Sequence, residues 1–325
     1  HLPKREADHV HSDEELIELK NKWERKWNES KVRKDIEIKQ QENEKYWLGD
    51  HFTPAQRKTN KREAVDNLIF EALETFLPVV GKQIAQPYIT TSKEALAQLF
   101  SKKVSDRIVD VADVMRLRLK VKKAIRYWAL YFLGVVKLGW SMEKNEIAVQ
   151  AIRPQQLILD PDAITDECEY EGEYVGHFRK DSASDLIQRF GSKTDFITKE
   201  VGKDLGTKIR YVEWWTNEYV FWTLKDEVLG KNKNPHWNYE QEISRDSVNE
   251  FGETIPMTEL VPGTNHFSQP KLPFAFISIF NIGKGPFDDT NLIEQSLPSQ
   301  DIVNKRVRQI DRNADSTNGG IVVSG

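Results

Sequence analysis

The chain has 325 residues, of which 38% are hydrophobic and 30% charged, and its 47 basic and 51 acidic residues give a net charge of −4. This composition is polar for a globular protein, and the small negative charge excludes a uniformly basic nucleic-acid coat protein. The single cysteine, Cys168, excludes a disulfide framework and any multi-cysteine zinc or iron–sulfur site. The longest nearly apolar run, 127–136, is far shorter than the roughly 20 residues of a membrane span.

Residues 1–62 are polar, with basic and acidic residues in near balance, and we predict that they form a charged N-terminal arm. Two helices are expected in it, over 13–29 and 31–47. Ser12 and Glu15 have the spacing of a capping box. Four apolar residues follow at helical spacing on one face, namely Leu16, Leu19, Trp23 and Trp27. A narrow apolar stripe on a charged helix usually docks on a neighbour, so both tryptophans are interface candidates.

Residues 63–134 carry helical periodicity. One helix is expected over 64–76, ended by Pro78, and a long one from 104 through 125 to near Gly134. Between 116 and 126 the long helix holds six cations and no acid. Such a cluster is typical of a solvated face or a subunit contact, and a nucleic-acid role stays open. The interface candidates from this cluster are Arg116, Arg118, Lys122 and Arg126.

Residues 135–287 are predicted to be mostly β. The expected elements are a hairpin of 135–142 with 146–152, a short helix over 182–190 capped by Ser182, strands over 210–224 and 274–280, and a loop over 230–239. The segment 160–173 holds seven carboxylates and no cation. It lacks the spacing of a calcium-binding loop, so we interpret it as an acidic surface loop. No phosphate-cradling or nucleophile-elbow motif occurs, and we predict no catalytic residue, no cofactor and no metal site.

The last predicted helix spans 290–316, with Thr290 as N-cap and a kink or restart at Pro298. One apolar face is expected, formed by Val303, Val307, Ile310 and Ala314. Four cations lie off that face, namely Lys305, Arg306, Arg308 and Arg312. A strand is expected to begin after Gly319 and Gly320, and we therefore expect the chain to be part of a longer one.

Four segments, in this order, resemble the portal (head–tail connector) proteins of tailed bacteriophages, in particular the podovirus-like group. The segments are Asn43–Phe52, Leu130–Gly139 with Ile152–Pro154 and Leu157–Ala163 after it, Tyr211–Trp215 with Asn234–Trp237 and Leu272–Phe274, and Asn291–Lys305. The resemblance covers roughly residues 43–325. The helix–glycine–strand order after residue 130, followed by the Ile-Leu-Asp-Pro-Asp-Ala sequence at 158–163, is similar to the portal wing.

The resemblance implies an α+β subunit with long helices, a small β-rich wing and a stem helix, assembling into a ring. The implied domains are an arm (1–62), a wing (63–289, with helices over 63–134 and strands over 135–287), a stem helix (290–316) and the start of a clip (317–325). The rest of the clip, a second stem helix and a crown would lie outside this chain. A ring, usually a dodecamer, has heterologous interfaces that close by rotation. We expect residues 1–42 to order only against a neighbouring subunit or tail protein.

The implied function is structural: a DNA conduit at one capsid vertex, used in genome packaging, tail attachment and DNA ejection. The implied partners are double-stranded DNA bound without sequence preference, the major capsid protein, the terminase large subunit and head–tail adaptor or tail proteins, but no membrane. The implied location is the virion, after assembly in the host bacterial cytoplasm. Within a stem helix, the four cations off the apolar face would be DNA-channel candidates, or would pair with acids of a neighbouring subunit.

Three alternatives remain open from the sequence. The chain could be another head–tail adaptor or structural virion protein, which would form a particle without a central channel. It could be a metal-dependent nucleic-acid-processing enzyme that uses carboxylates of 160–173, with Asp160 and Asp162 as the first candidates. It could also be a helical DNA-binding regulator that uses the cations of 116–126.

Overall fold

A computed structural model describes residues 11–52, 65–82, 95–141, 146–166, 169–202, 204–236, 241–248, 254–261 and 270–317. The protein is a mixed α+β structure, as predicted. It divides into two compact units. The first takes in the described residues of 1–28, 155–160 and 172–273, and the second takes in those of 29–154, 161–171 and 274–325.

The first unit is built on a five-stranded antiparallel sheet in the order β3-β6-β7-β8-β9. Its strands are β3 (Leu157–Leu159), β6 (Tyr174–Ser182), β7 (Lys208–Thr216), β8 (Tyr219–Leu224) and β9 (Glu227–Lys233). Helix α1 (Asp13–Glu29) packs on one face of this sheet. The predicted loop over 230–239 is wrong at its start, because 230–233 pairs with β8 as the end of β9.

Aromatic stacking holds α1 on the sheet. The Trp23 ring lies 4.6 Å from that of Tyr174 and 5.6 Å from that of Trp214. Gly176 leaves the space for this layer, since a Cβ there would lie 2.7 Å from the Trp214 ring. Burying three large aromatic side chains gives α1 a stabilisation that its charged sequence alone could not supply.

The remaining elements of the first unit are small. They are α6 (Ala183–Arg189), α7 (Thr194–Val201) and a hairpin of β10 (Gln241–Val248) with β11 (Thr254–Val261). The predicted cap of α6 is confirmed, since the Asp185 amide donates to Ser182 Oγ at 3.2 Å. The predicted capping box of α1 is confirmed as well, with the Glu15 amide 3.2 Å from Ser12 Oγ and the Ser12 amide 2.8 Å from Glu15 Oε2.

The second unit packs five helices with a three-stranded antiparallel sheet in the order β12-β1-β2. The helices are α2 (Lys31–Trp47), α3 (Leu68–Lys82), α4 (Ala95–Val114), α5 (Leu117–Tyr131) and α8 (Leu292–Thr317). The strands are β1 (Gly134–Ser141), β2 (Glu146–Ile152) and β12 (Phe274–Ile277), with a separate hairpin of β4 (Ile164–Asp166) and β5 (Glu169–Glu171). The core of the unit lies between α3, α5 and the start of α8.

Several helix boundaries differ from the predictions. The helix α3 continues past Pro78, and α8 continues through Pro298 without a restart. A proline removes one backbone hydrogen bond, and the burial of Leu77 at 1% exposure and of Gln300 at 2% outweighs that loss. The predicted long helix is two helices, because Arg116 has a left-handed backbone with φ 53°. The N-cap of α8 is Asn291 rather than Thr290, since Asn291 Oδ1 accepts the Glu294 amide at 2.8 Å.

The carboxyl end of α5 is buried, and side-chain carboxamides satisfy its last carbonyl groups. Asn291 donates to the Ala129 carbonyl at 2.9 Å, Asn43 to that of Leu130 at 3.1 Å and Gln40 to that of Tyr131 at 2.9 Å. A helix end leaves such carbonyls without intrahelical partners, and burying them unpaired is costly. These three contacts therefore fix α2 and the start of α8 to α5.

Gly134, two residues after the left-handed Phe132, is the first residue of β1 and lies close against α5. A Cβ at Gly134 would lie 2.5 Å from the Ala124 carbonyl oxygen. We expect Gly134→Ala to lower the free energy of unfolding by about 1–3 kcal/mol, because backbone would have to shift in a packed core. Gly139→Ala is the matched control in the same strand, since a Cβ there meets nothing within 4 Å. Urea unfolding measures both, and an equal effect of the two changes would contradict the steric argument.

Asn43→Ala removes the partner of the buried Leu130 carbonyl. We expect it to lower the free energy of unfolding by about 1–3 kcal/mol, the cost of an unpaired buried polar group. Gln41→Ala, on the exposed face of the same helix, is the control and is expected to stay within about 0.5 kcal/mol. If denaturant unfolding finds no difference between these variants, the carboxamides do not hold α2 in place.

Candidate functional site

A groove of about 690 Å³ lies between α2, the segment after it and α8. Its charged lining residues are the cations Lys45, Lys305, Arg308 and Arg312 and the acids Glu42, Asp50 and Asp301. Aromatic side chains of Tyr46 and Phe52 lie among them. At the other end of the contact between the two helices, Lys39 Nζ lies 2.6 Å from Glu294 Oε1. The groove is therefore a polar, mixed-charge surface with a small excess of positive charge.

Tyr46 crosses the groove from α2 to α8. Its hydroxyl donates to Asp301 Oδ1 at 2.8 Å, and its ring lies 4.8 Å from that of His51. Burial, followed by the hydrogen bond and charge of Asp301, raises the pKa of Tyr46 to about 12. The hydroxyl therefore stays a hydrogen-bond donor across the physiological pH range.

Arg308 is held inside the subunit. Its guanidinium donates to the His51 carbonyl at 3.2 Å and lies 5.5 Å from the centre of the Phe52 ring. Of the four predicted channel cations, Arg308 is thus half-buried, whereas Lys305, Arg306 and Arg312 are exposed. Arg306 is not among the residues that line the groove, and its guanidinium donates to Gln309 Oε1 of the same helix at 3.2 Å. The four cations do not share one face of α8.

The carboxyl-terminal part of α8 lies outside the core of its unit. All residues from 309 to 317 are exposed, and two large apolar side chains on the helix are exposed as well, Ile302 at 61% and Ile310 at 68%. The predicted apolar face is therefore covered only in its first half, where Val303 and Val307 are half-buried. A soluble helix usually covers such apolar side chains against another element.

The predicted interface residues lie in different surroundings in the structure. Trp23 and Trp27 are 1% and 7% exposed, since α1 turns its aromatic face to the chain's own sheet. They are core residues, and the expectation that they contact another subunit is corrected. The Arg126 guanidinium donates to both carboxylate oxygens of Glu74, at 2.9 and 2.8 Å. Arg116 and Arg118 are exposed, and Lys122 is half-buried.

The acidic segment 160–173 is divided between the two units. Asp160 is 7% exposed, pairs with Lys26 at 2.6 Å and accepts the Glu173 amide at 3.4 Å. Within the described ranges, no three His, Cys, Asp or Glu side chains come together as a metal-binding group. Glu167 and Cys168 lie outside the described residues, as does nearly all of the predicted clip segment, 318–325.

Sequence reasoning missed three residues: His51 and Asn304, which line the groove, and Gln300, which donates to Asn304. Each is at most 9% exposed. A signal existed for two of them, because Gln300 and Asn304 are four residues apart and so share a helix face. On a helix as polar as α8, that spacing does not distinguish buried carboxamides from exposed ones.

Comparison with models of known protein families finds no match, and comparison with curated proteins finds none. Among the described helices, none combines the length and apolar character needed to cross a membrane. The function proposed below therefore rests on the resemblance of the sequence segments and on the geometry of α8.

The alkaline titration of Tyr46 tests the contact across the groove. The absorbance difference between wild type and Tyr46→Phe isolates this phenol, and we expect its midpoint near pH 12. The folded state binds the proton more tightly than the unfolded state, so the stabilisation is present below pH 10 and is lost as the pH rises through about 12.

Asp301→Asn is expected to lower that midpoint only in part, since burial is the largest cause of the shift. Circular dichroism recorded in parallel reports whether the protein stays folded. A midpoint near 10 in folded wild-type protein would show that Tyr46 is not held in the groove.

Proposed function

We propose that this chain is a subunit of the portal ring of a tailed bacteriophage, a structural conduit for DNA at one capsid vertex. The observation that carries the proposal is the exposed end of α8. This helix coincides with the segment that resembles the entry into a portal stem helix. It begins in a core of its own unit and continues over 309–317, about two and a half turns, beyond that core.

A ring gives such a helix neighbours. In a closed ring each subunit has two different partner faces, so a helix with apolar side chains on its outer surface is covered by the adjacent copy. Ile302 and Ile310 supply that apolar surface on α8. Phe100, at 70% exposure, and Val114, at 76%, are exposed apolar residues on α4 of the same unit. Both helices have the surface expected of a subunit whose neighbours are missing.

The exposed cations of α8 suit weak contact with a sliding duplex. Phosphate contacts from lysine and arginine carry no sequence information and weaken with salt, as a conduit requires. The candidates are the exposed cations Lys305, Arg306 and Arg312, whereas Arg308 is half-buried and donates to the His51 carbonyl. Asp311 and Asp315 on the same helix offer neighbouring subunits a counter-charge, so part of the cation set would form intersubunit ion pairs.

The other roles follow from the resemblance alone. The major capsid protein, the terminase large subunit and head–tail adaptor or tail proteins would be the partners, and the ring itself would be a non-catalytic component of the virion. Packaging would then depend on ATP hydrolysis by the separate terminase motor.

Negative-stain imaging with light scattering on the purified full-length protein tests the proposal. We expect ring-shaped particles, of a mass corresponding to about a dozen subunits, with a central hole that admits duplex DNA. Compact monomers, or particles without a hole, at both low and moderate salt would contradict the portal assignment.

Ile310→Asp tests whether α8 forms the ring contact. We expect this change to abolish rings while the free energy of unfolding of the subunit stays within about 0.5 kcal/mol, because Ile310 is exposed in the subunit. Gln309→Asp adds the same charge one residue earlier, at an exposed polar position, and is expected to leave the rings intact. Rings that survive Ile310→Asp would place the subunit contact elsewhere.

A further inference from the structure

His51 and Asn304, which line the groove, belong with Gln300 to a chain of hydrogen bonds with one direction. His51 Nε2 donates to the Tyr46 carbonyl at 2.7 Å, and its Nδ1 accepts from Asn304 Nδ2 at 2.8 Å. Asn304 Oδ1 accepts from Gln300 Nε2 at 3.2 Å. His51 is 9% exposed, and both carboxamide residues are 2% exposed, so water does not readily replace these contacts.

Backbone groups fix the direction at both ends. Gln300 Nε2 also donates to the Asp66 carbonyl at 2.5 Å, and the Ile69 amide donates to Gln300 Oε1 at 3.2 Å. A carbonyl cannot donate and an amide N–H cannot accept, so Gln300 has one orientation. At the other end, the Tyr46 carbonyl requires a proton on Nε2 of His51. The chain therefore matches the neutral imidazole with its proton on Nε2.

A second proton on the His51 ring conflicts with this chain of hydrogen bonds. It would sit on Nδ1 and face the NH₂ group of Asn304. Turning the Asn304 carboxamide over restores that contact but sets its NH₂ against that of Gln300. Turning Gln300 as well sets its oxygen against the Asp66 carbonyl and its NH₂ against the Ile69 amide. Every arrangement loses at least one buried hydrogen bond, which costs free energy.

We infer that the His51–Asn304–Gln300 chain is a proton-sensitive latch, which holds α8 to α2 and to the start of α3 and loosens as the pH falls. Histidine is the side chain that ordinarily changes charge between roughly pH 5 and 8. The hydrogen-bond chain of the folded protein accommodates only the neutral imidazole of His51. The stabilisation of the folded protein by this chain is therefore present at higher pH and is lost with acidification. The inference holds for the subunit itself and is independent of the portal proposal.

The charged groups around His51 come from each element of the groove. Arg308, bound to the His51 carbonyl, and the groove cations Lys305 and Arg312 on α8 and Lys45 on α2 oppose a further positive charge. Asp301 on α8, Glu42 on α2 and Asp50 in the segment before His51 favour it. Asp66, at the far end of the chain, contributes its backbone carbonyl to the latch.

Two measurements on the full-length protein test the latch. Imidazole ¹⁵N NMR at pH 7.5 should show His51 with its proton on Nε2, and a proton on Nδ1 would overturn the inference. Amide hydrogen exchange, corrected for intrinsic rates, should show residues 301–308 exchanging at least about fivefold faster at pH 5.5 than at pH 7.5, the effect of about one lost buried hydrogen bond.

Asn304→Asp should reverse the sign of the effect. A carboxylate accepts from a protonated His51 and from Gln300 at once, so the same amides should exchange more slowly at pH 5.5 than at pH 7.5. His51→Asn, which cannot titrate, should show no acid-dependent loosening. If the wild type and Asn304→Asp respond to acid in the same direction, the inference is wrong, whether or not His51→Asn folds.

Discussion

The second unit depends on the burial of the carboxyl end of α5. Five successive carbonyl groups, from Trp128 to Phe132, need partners there, and the donors are the Phe132 amide, Asn291, Asn43, Gln40 and the Asp288 amide. A missing partner would leave a buried polar group unpaired, so each donor position is strongly constrained. Because the three side-chain donors belong to α2 and to the residue before α8, the same contacts place both helices that form the groove.

The helix α8 has two parts with different physical roles. Its first half is fixed by a cap at Asn291 and by buried carboxamides at Gln300 and Asn304. Its second half has a mixed-charge, partly apolar surface that the described part of the subunit does not cover. In the proposed ring, a helix fixed at one end and exposed at the other would have its position set before a neighbouring subunit binds. The latch would make that position depend on pH.

The two aromatic residues of α1 show why the sequence alone does not distinguish a subunit interface from a core. Trp23 and Trp27 have the spacing of a docking stripe, and they do dock, but on the chain's own sheet. Periodicity predicts that a helix face is covered, whereas it carries no information about which element covers it. The partner was decided by Tyr174, Gly176 and Trp214, which lie about 150 to 190 residues away along the chain.

Local chemistry determined the elements that the sequence predicted correctly. The bounds of α1 and α2, the caps at Ser12 and Ser182 and the β1–β2 hairpin follow from side chains within a few residues of one another. Tertiary structure alone decided the continuation of helices through Pro78 and Pro298 and the burial of His51, Gln300 and Asn304. Each of these depends on long-range packing or hydrogen bonds, whose free energy exceeds the local preferences that a sequence pattern reports.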